Sequence, residues 1–245
     1  MNPTPPAAVA EFAPTGTLRV AINYGNAVLA ARDAASGELS GVSVDLAREL
    51  ARRLGVPVAF TGFNTAGRVV DAVKTGTLDV MFLAIDPLRA NEIDYSAAYV
   101  LIEGAYAVSQ VSPIRANAEV DRAGVRVVVG AGSAYDLHLT RELKSATIVR
   151  VPNSQAVVPT LIEQKLEVAA GVKQQLEADL KRTPGLRLLD GRFMAIHQAM
   201  GTPRGRPAAA RYLGEFVEEM KASGFVAEAL RRHRIEGAQV APPGR

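Results

Sequence analysis

The segment Gly76–Tyr99, GTLDVMFLAIDPLRANEIDYSAAY, decides the fold of this chain. Gly76 reads as a helix-ending residue. Leu78 to Ile85 is a continuous apolar run of strand length, as expected of a parallel strand covered on both faces. A polar break follows and carries the guanidinium of Arg89. A second short segment then ends in Tyr95-Ser96 and Tyr99. A strand that delivers an arginine to its carboxyl end is how open α/β sheets present charge to a ligand.

Working upstream, Leu18 to Asn23 reads as a strand with a polar end, and Ala30 to Gly41 as a turn centred on Ser36-Gly37. Leu46, Ala47, Leu50, Ala51 and Leu54 follow a 3.6-residue period that predicts a helix from Ser43 to a stop at Gly55. Val56 to Phe60 is a short strand, and Val69, Val70, Ala72 and Val73 are the apolar face of a second helix. The order β-α-β-α-β predicts a doubly wound α/β lobe with right-handed crossovers.

Downstream the pattern restarts. Strands are predicted at 106–109, 126–129, 147–151, 168–172, 187–189 and 195–200. Helices are predicted at 133–143 with Ser133 as N-cap, at 157–164 and at 174–181. Two helices close the chain, one starting near Pro207 and one after Ser223-Gly224. The Pro-rich residues 1–16 and the residues 236–245 are expected to be flexible tails. Two α/β units in tandem suggest two lobes, and ligand pockets favour domain junctions.

Composition narrows the function classes. Hydrophobic residues make up 48% of 245 residues, ample for a core, and charged residues 22%. The 28 basic and 25 acidic residues nearly cancel, and no basic stripe carries interleaved aromatics, which argues against nucleic-acid binding. The absence of Cys excludes disulfide and thiolate chemistry. His138, His197 and His233 show no metal spacing. No run reaches the ~18 apolar residues of a membrane span. Met1 to Pro6 shows neither a basic n-region nor an apolar h-region, so either a leader was removed or the protein is cytoplasmic.

Several blocks together resemble a known family. Gly16-Thr17-Leu18-Arg19-Val20-Ala21, Gly37-Glu38-Leu39-Ser40-Gly41-Val42-Ser43-Val44-Asp45-Leu46-Ala47, Leu54-Gly55-Val56-Pro57-Val58, the segment quoted above and Gly130-Ala131-Gly132-Ser133-Ala134-Tyr135 follow one another in order. From about Gly16 to His233 the chain resembles type II periplasmic solute-binding proteins of family 3, the polar-amino-acid type. The resemblance implies an α/β fold of two lobes, each a mixed, mostly parallel sheet flanked by helices. It places one lobe at 17–103 plus 200–235 and the other at 104–199. A two-strand hinge near residues 100–108 and 192–201 would close on the ligand. It further implies a monomer without cofactor or catalytic residue, located in the periplasm and delivering a small solute to an ABC permease.

The resemblance also assigns site residues. Arg89 matches the arginine that grips a ligand carboxylate, for which a planar fork is suited. Gly132 and Ser133, with Ala134 and Tyr135 behind them, match the helix start that forms a second anion clamp. Other positions depart from the family. Ala84 replaces a hydroxyl residue five before the arginine. Asp86 replaces a threonine three before it, and is placed to pair with Arg89 or to receive a cation. The aromatic pocket wall is absent. In its region Asn23, Tyr24 and Asn26 are candidate ligand residues, the asparagines being equally readable as turn formers. The ammonium-binding Asp becomes Val172 or Lys173, and a lysine there repels an ammonium and attracts an anion. Glu103, in an apolar context, is a candidate to restore negative charge, or else an exposed edge residue.

The expected function is capture of a small carboxylate-bearing solute: an amino acid, a derivative or an organic acid. An alternative is a cleft enzyme resembling cyclohexadienyl dehydratases, with Asp86, Glu103 and Lys173 as acid and base groups. A third, a sensor domain, would need an adjoining membrane or kinase segment.

Overall fold

The computed structural model describes residues 4–244. The chain forms two units: residues up to Leu101 together with those from His197 onward, and Ile102–Ile196. It passes between them twice, once inside each of two long strands.

The first unit opens with α1 (Pro6–Phe12), β1 (Leu18–Asn23), the short β2 (Ala31–Arg32) and β3 (Leu39–Ser40), and α2 (Val42–Leu54). β4 (Val58–Phe63), α3 (Ala66–Val73) and β5 (Val80–Ala84) lead to β6 (Ile93–Ser109), whose second half belongs to the second unit. There follow β7 (Arg126–Gly130), α4 (Ala134–Glu142), β8 (Thr147–Val151), α5 (Val157–Glu163), β9 (Val168–Val172), α6 (Lys173–Arg182) and β10 (Leu186–Leu188). β11 (Met194–Pro203) returns to the first unit, which α7 (Pro207–Ala222), α8 (Phe225–Arg232) and β12 (Gln239–Val240) complete.

In the first unit β4, β1 and β5 run parallel, with Leu18 opposite Val58 and Val20 opposite Val80. β11 runs antiparallel to β5, with Gln198 opposite Ala84. In the second unit β8, β7 and β9 run parallel and β6 antiparallel to β9, with Gly104 opposite Val172. All five residues of β5 are buried, as the continuous apolar run requires of a central strand. In α2 the residues Leu46, Ala47, Leu50, Ala51 and Leu54 are buried, and Gly55 ends the helix in the left-handed conformation at φ 68°. Each such leucine contributes roughly 1.5–3 kcal/mol by leaving water. In the second unit Val127, Val129, Val168 and Tyr106 lie in one core cluster, and Val128, Ala169, Leu161 and Leu176 in another.

Three expectations are corrected. The segment after Arg89 is not a short piece followed by a new strand. It is one 17-residue strand, because Val100 and Leu101 find a partner in β12 and residues 104–108 one in β9. The N-terminal arm is not a flexible tail over its described part; its residues 1–3 lie outside the described residues. Pro6 stands at the first helical position, where its missing N–H costs nothing. The helix it starts buries Phe12 completely, edge-on to Tyr212 of α7. Glu11 caps α7 by accepting from the Ala209 amide at 2.8 Å.

The C-terminal tail is likewise ordered up to Gly244; Arg245 lies outside the described residues. β12 adds to β6, the Ala241 amide donates to the Tyr99 carbonyl, and Ala241 is buried. Lys221 Nζ of α7 donates to Pro242 O at 2.8 Å and the Gly244 amide donates to Glu218 Oε1 of α7 at 3.0 Å, anchoring this segment. Removing the residues after Glu236 is expected to lower stability by about 1–2 kcal/mol through lost ladder bonds, read as a lower urea midpoint.

A buried ionic knot fixes the start of β5. The Asp79 side chain has no exposure. Its Oδ2 accepts from Arg19 N at 3.0 Å and Arg19 Nε at 2.7 Å; its Oδ1 accepts from Arg19 Nη2 and Arg206 Nη1, both at 2.8 Å. Arg206 also donates to the Glu11 carbonyl, so one carboxylate ties β1 and β5 to the approach of α7 and to α1.

Candidate functional site

The arginine of the opening segment sits in a single 3-10 turn, Arg89–Asn91, just past β5. It follows the turn at Pro87-Leu88, and the residue is 3% exposed. Nη1 donates to the carbonyl of Ala84, the last residue of β5, at 3.0 Å. Asp86, also 3% exposed, caps the turn: its Oδ1 accepts from Leu88 N at 2.9 Å. Burial pushes the Arg89 guanidinium below its ordinary value, opposed by Tyr95 and the Asp86 carboxylate. Burial, with Asp86 adding to it, pushes the Tyr95 hydroxyl up to about 12 against the pull of Arg89. Arg89, Asp86 and Tyr95 therefore form one buried electrostatic group. Ala84 has no hydroxyl to offer and contributes its backbone oxygen instead. Ile85 and Leu88 on either side of Asp86 stay exposed, at 44% and 60%.

At the end of β1, Asn23 Oδ1 accepts from Gly25 N at 3.1 Å, so its side chain closes a turn. Gly25 is required there, since a Cβ would lie 2.1 Å from the Asn64 carbonyl oxygen. Asn26 accepts from the Leu29 and Ala30 amides through its carbonyl. Its Oδ1 is buried without a hydrogen-bond partner among the described residues. The Tyr24 ring lies beside Gly62 and carries the Arg32 guanidinium at 5.7 Å from its centroid. Residues 24–37 enclose an open pocket of about 670 Å³ lined by Tyr24, Arg32, Asp33 and small residues.

In the second unit α4 starts at the expected place. Ser133 Oγ accepts from Asp136 N at 3.0 Å, and Gly132, at φ 70°, donates its amide to Asp136 Oδ2 at 2.9 Å. Arg150 Nε holds the same carboxylate at 3.0 Å. The helix start thus already carries an anion of the chain's own, placed where the helix dipole favours one. Ala134 is the first helical residue. Tyr135 is buried with its hydroxyl 2.8 Å from Ser154 Oγ, and burial raises its pKa. Its side chain is a core residue.

Glu103 and Lys173 come together: Lys173 Nζ lies 3.1 Å from Glu103 Oε2, and Arg192 Nη1 3.2 Å from Oε1. Lys173, and after it Arg192, hold the Glu103 carboxyl below its usual range against partial burial. All three side chains are partly exposed, at 37%, 31% and 54% for Lys173, Glu103 and Arg192. Two cations meet one carboxylate, and such pairs contribute little to stability.

Among the described residues no cluster of His, Asp or Glu fits a metal, and no helix is long and apolar enough to cross a membrane. His138 stacks on Phe193, and His233 pairs with Asp45 at 2.8 Å.

Residues 18–234 match the bacterial extracellular solute-binding proteins, family 3. The chain belongs to this family. Solved structures with the same fold include the solute receptor for L-cysteine of Neisseria gonorrhoeae, at 21% identity and TM-score 0.79, covering 94% of this chain and 95% of that one. The arginine-binding protein of T. maritima, as its P235GK mutant, aligns at 20% identity and TM-score 0.77, covering 92% and 98%. The ancestral amino acid-binding protein AncCDT-1, a precursor of cyclohexadienyl dehydratase, aligns at 21% identity and TM-score 0.77, covering 93% and 99%. No curated protein matches the sequence.

As a family 3 solute-binding protein the chain has an α/β fold in two units, each with three strands in parallel register: β4, β1 and β5 in the first, and β8, β7 and β9 in the second. Of its candidate residues, Arg89, Asp86, Ala84, Asn23, Tyr24 and Asn26 lie in the first unit. Glu103, Gly132, Ser133, Ala134, Tyr135 and Lys173 lie in the second. Sequence reasoning passed over Asp136, Arg150, Arg192 and Arg32. Asp136 was readable, since Ser133-x-x-Asp136 is a capping-box pattern. The other three sit at positions with no local signal.

Proposed function

We propose that this solute-binding protein captures a small solute bearing a carboxylate, with an amine not required, and passes it to an ABC permease outside the cytoplasm. The observation that carries this reading is the meeting of Lys173 and Arg192 on the single carboxylate of Glu103. A free ammonium would be repelled there, while an anion finds uncompensated positive charge. Within the first unit, Arg89 is a further candidate for an anion-directed contact.

The test is a thermal-shift titration with carboxylic acids, amino acids and amines. Stabilisation should follow RT ln(1 + [L]/Kd), about 2.7 kcal/mol at a hundredfold excess over Kd, with the solute recovered unchanged. Stabilisation by amines alone would contradict the reading. Lys173→Asp is expected to reverse the preference: with two carboxylates against Arg192, lysine should gain affinity and simple carboxylates should lose it, by about tenfold each. An unaltered order of ligands in that variant removes Lys173 from the site.

The lyase alternative needs a carboxyl group that gives up and regains a proton near neutrality. Glu103 is held below its ordinary range, which suits an ion pair and not a general acid. Asp86 is engaged in capping the turn before Arg89. Mass detection of product from a cyclic carboxylic acid would reinstate this reading.

A further inference from the structure

We propose that the pocket of residues 24–37 in the first unit binds a carboxylate carried on an apolar, ring-sized body, with Arg32 as the residue that recognises the anion. This rests on the solute-binding reading and adds to it the class of solute and a residue to which no role has been given.

Arg32 is exposed and lies at the end of the two-residue strand β2, paired with Leu39. Among the described residues its guanidinium has no hydrogen-bond or ion-pair partner. Its contact is the Tyr24 ring, at 5.7 Å from the centroid. A guanidinium laid on an aromatic face keeps its N–H edge for in-plane bonds, which is the geometry that grips a carboxylate bidentately.

The neighbouring acid does not cancel this charge. Asp33 Oδ1 accepts from Ala35 N at 3.0 Å, Ser36 N at 2.7 Å and Ser36 Oγ at 2.8 Å, so the carboxylate is turned into its own loop. The same bonds, with Asp33 N to Glu38 O and Gly37 N to Asp33 O, tie the loop into one shape before any solute arrives. Gly37 lies beside the fork: a Cβ there would be in ordinary contact, 3.5 Å from Arg32 Nη2, and it is the residue's φ of 73° that favours glycine.

The rest of the wall is small: Ala27, Ala30, Ala31, Ala34 and Ala35. With methyl groups in place of rings, the pocket reaches about 670 Å³, the size range of sites for drug-sized ligands. Walls of mostly small residues, with Arg32 as the cation and the Asp33 carboxylate turned into its own loop, favour an anion on a ring-sized body over a compact zwitterion.

The test uses 3-phenylpropionate, its uncharged analogue 3-phenylpropan-1-ol, and L-lysine, titrated calorimetrically into the full chain. Phenylpropionate is expected to bind and the alcohol to bind at least tenfold more weakly. Arg32→Gln, which keeps reach and loses charge, should weaken phenylpropionate about tenfold and leave the alcohol unchanged. Ala34→Trp, on an exposed position, should weaken both by filling the pocket. Neither variant should move the unfolding midpoint of the free protein. Equal phenylpropionate affinity in wild type and Arg32→Gln overturns the proposal. Binding of L-lysine without phenylpropionate overturns it too, while leaving the solute-binding reading intact. Binding of no solute at all overturns both.

Discussion

Asp79→Asn is expected to lower the unfolding free energy by about 3–5 kcal/mol, the range for removing one partner of a buried ion pair. The side chain is fully buried, and Arg19 and Arg206 both donate to it. The amide keeps the shape but not the charge, leaving two guanidinium groups facing a neutral acceptor. The loss should appear as a lower urea midpoint with an unchanged slope, because the unfolded state is unaffected. The wild-type pH dependence should change with it. Arg19 and Arg206 hold the Asp79 carboxyl below its ordinary value despite the opposing effect of burial. A depressed carboxylate contributes stability that is present above the unfolded-state value, near 3.8, and is lost as pH falls below it. Wild type should therefore lose stability on acidification below about pH 4, and Asp79→Asn should lose less over the same range. A variant as stable as wild type at pH 7 would show that Arg19 and Arg206 find other partners.

Arg89→Ala carries the second large effect. It removes a guanidinium that is 3% exposed and leaves Asp86, equally buried, beside a vacated space. Loss of stability by about 3–5 kcal/mol is expected. Loss of stabilisation by carboxylate solutes is expected with it. Two roles are separable with Arg89→Lys, which retains the charge beside Asp86 and loses the fork. If Arg89 touches solute, the lysine variant regains stability and still binds at least tenfold more weakly. If Arg89 serves only as the internal counter-ion of Asp86, the lysine variant regains both. Thermal unfolding with and without solute reads the two outcomes independently.

The fold was legible wherever a local signal was strong. The buried run around Val80–Ala84, the 3.6-residue pattern of α2, the left-handed stop at Gly55 and the N-cap at Ser133 are short-range features, and each occurs where it was read. What escaped depends on partners distant in sequence. α1 exists because Phe12 packs on Tyr212, two hundred residues away, and β12 because β6 offers it an edge. Neither a Pro-rich start nor a polar tail announces such docking. The length of β6 escaped for the same reason, since its two halves are paired by different strands.

The candidate site divides in the same way. The positions of Arg89 and Ser133 followed from strand ends and caps. Their surroundings did not. Asp86 was read as a partner or a cation receptor, and the structure makes it a buried cap as well. Asn23 was open between cleft and turn, and its side chain closes the turn. Glu103 and Lys173, seventy positions apart, were grouped only as acid and base groups of the lyase alternative, and the antiparallel pairing of β6 with β9 sets them side by side as an ion pair. No sequence period connects Arg192 to that pair.

A carboxylate-bearing solute is the proposed ligand of this family member. A native mass spectrum of the purified protein, recorded alone and with an equimolar mixture of carboxylic acids, amino acids and amines, tests it most directly. The expected result is one bound small molecule per chain whose mass is that of a carboxylic acid, an adduct that Arg89→Ala loses. A spectrum in which only amines lacking a carboxylate are retained, or in which no solute is retained under any condition, would contradict it.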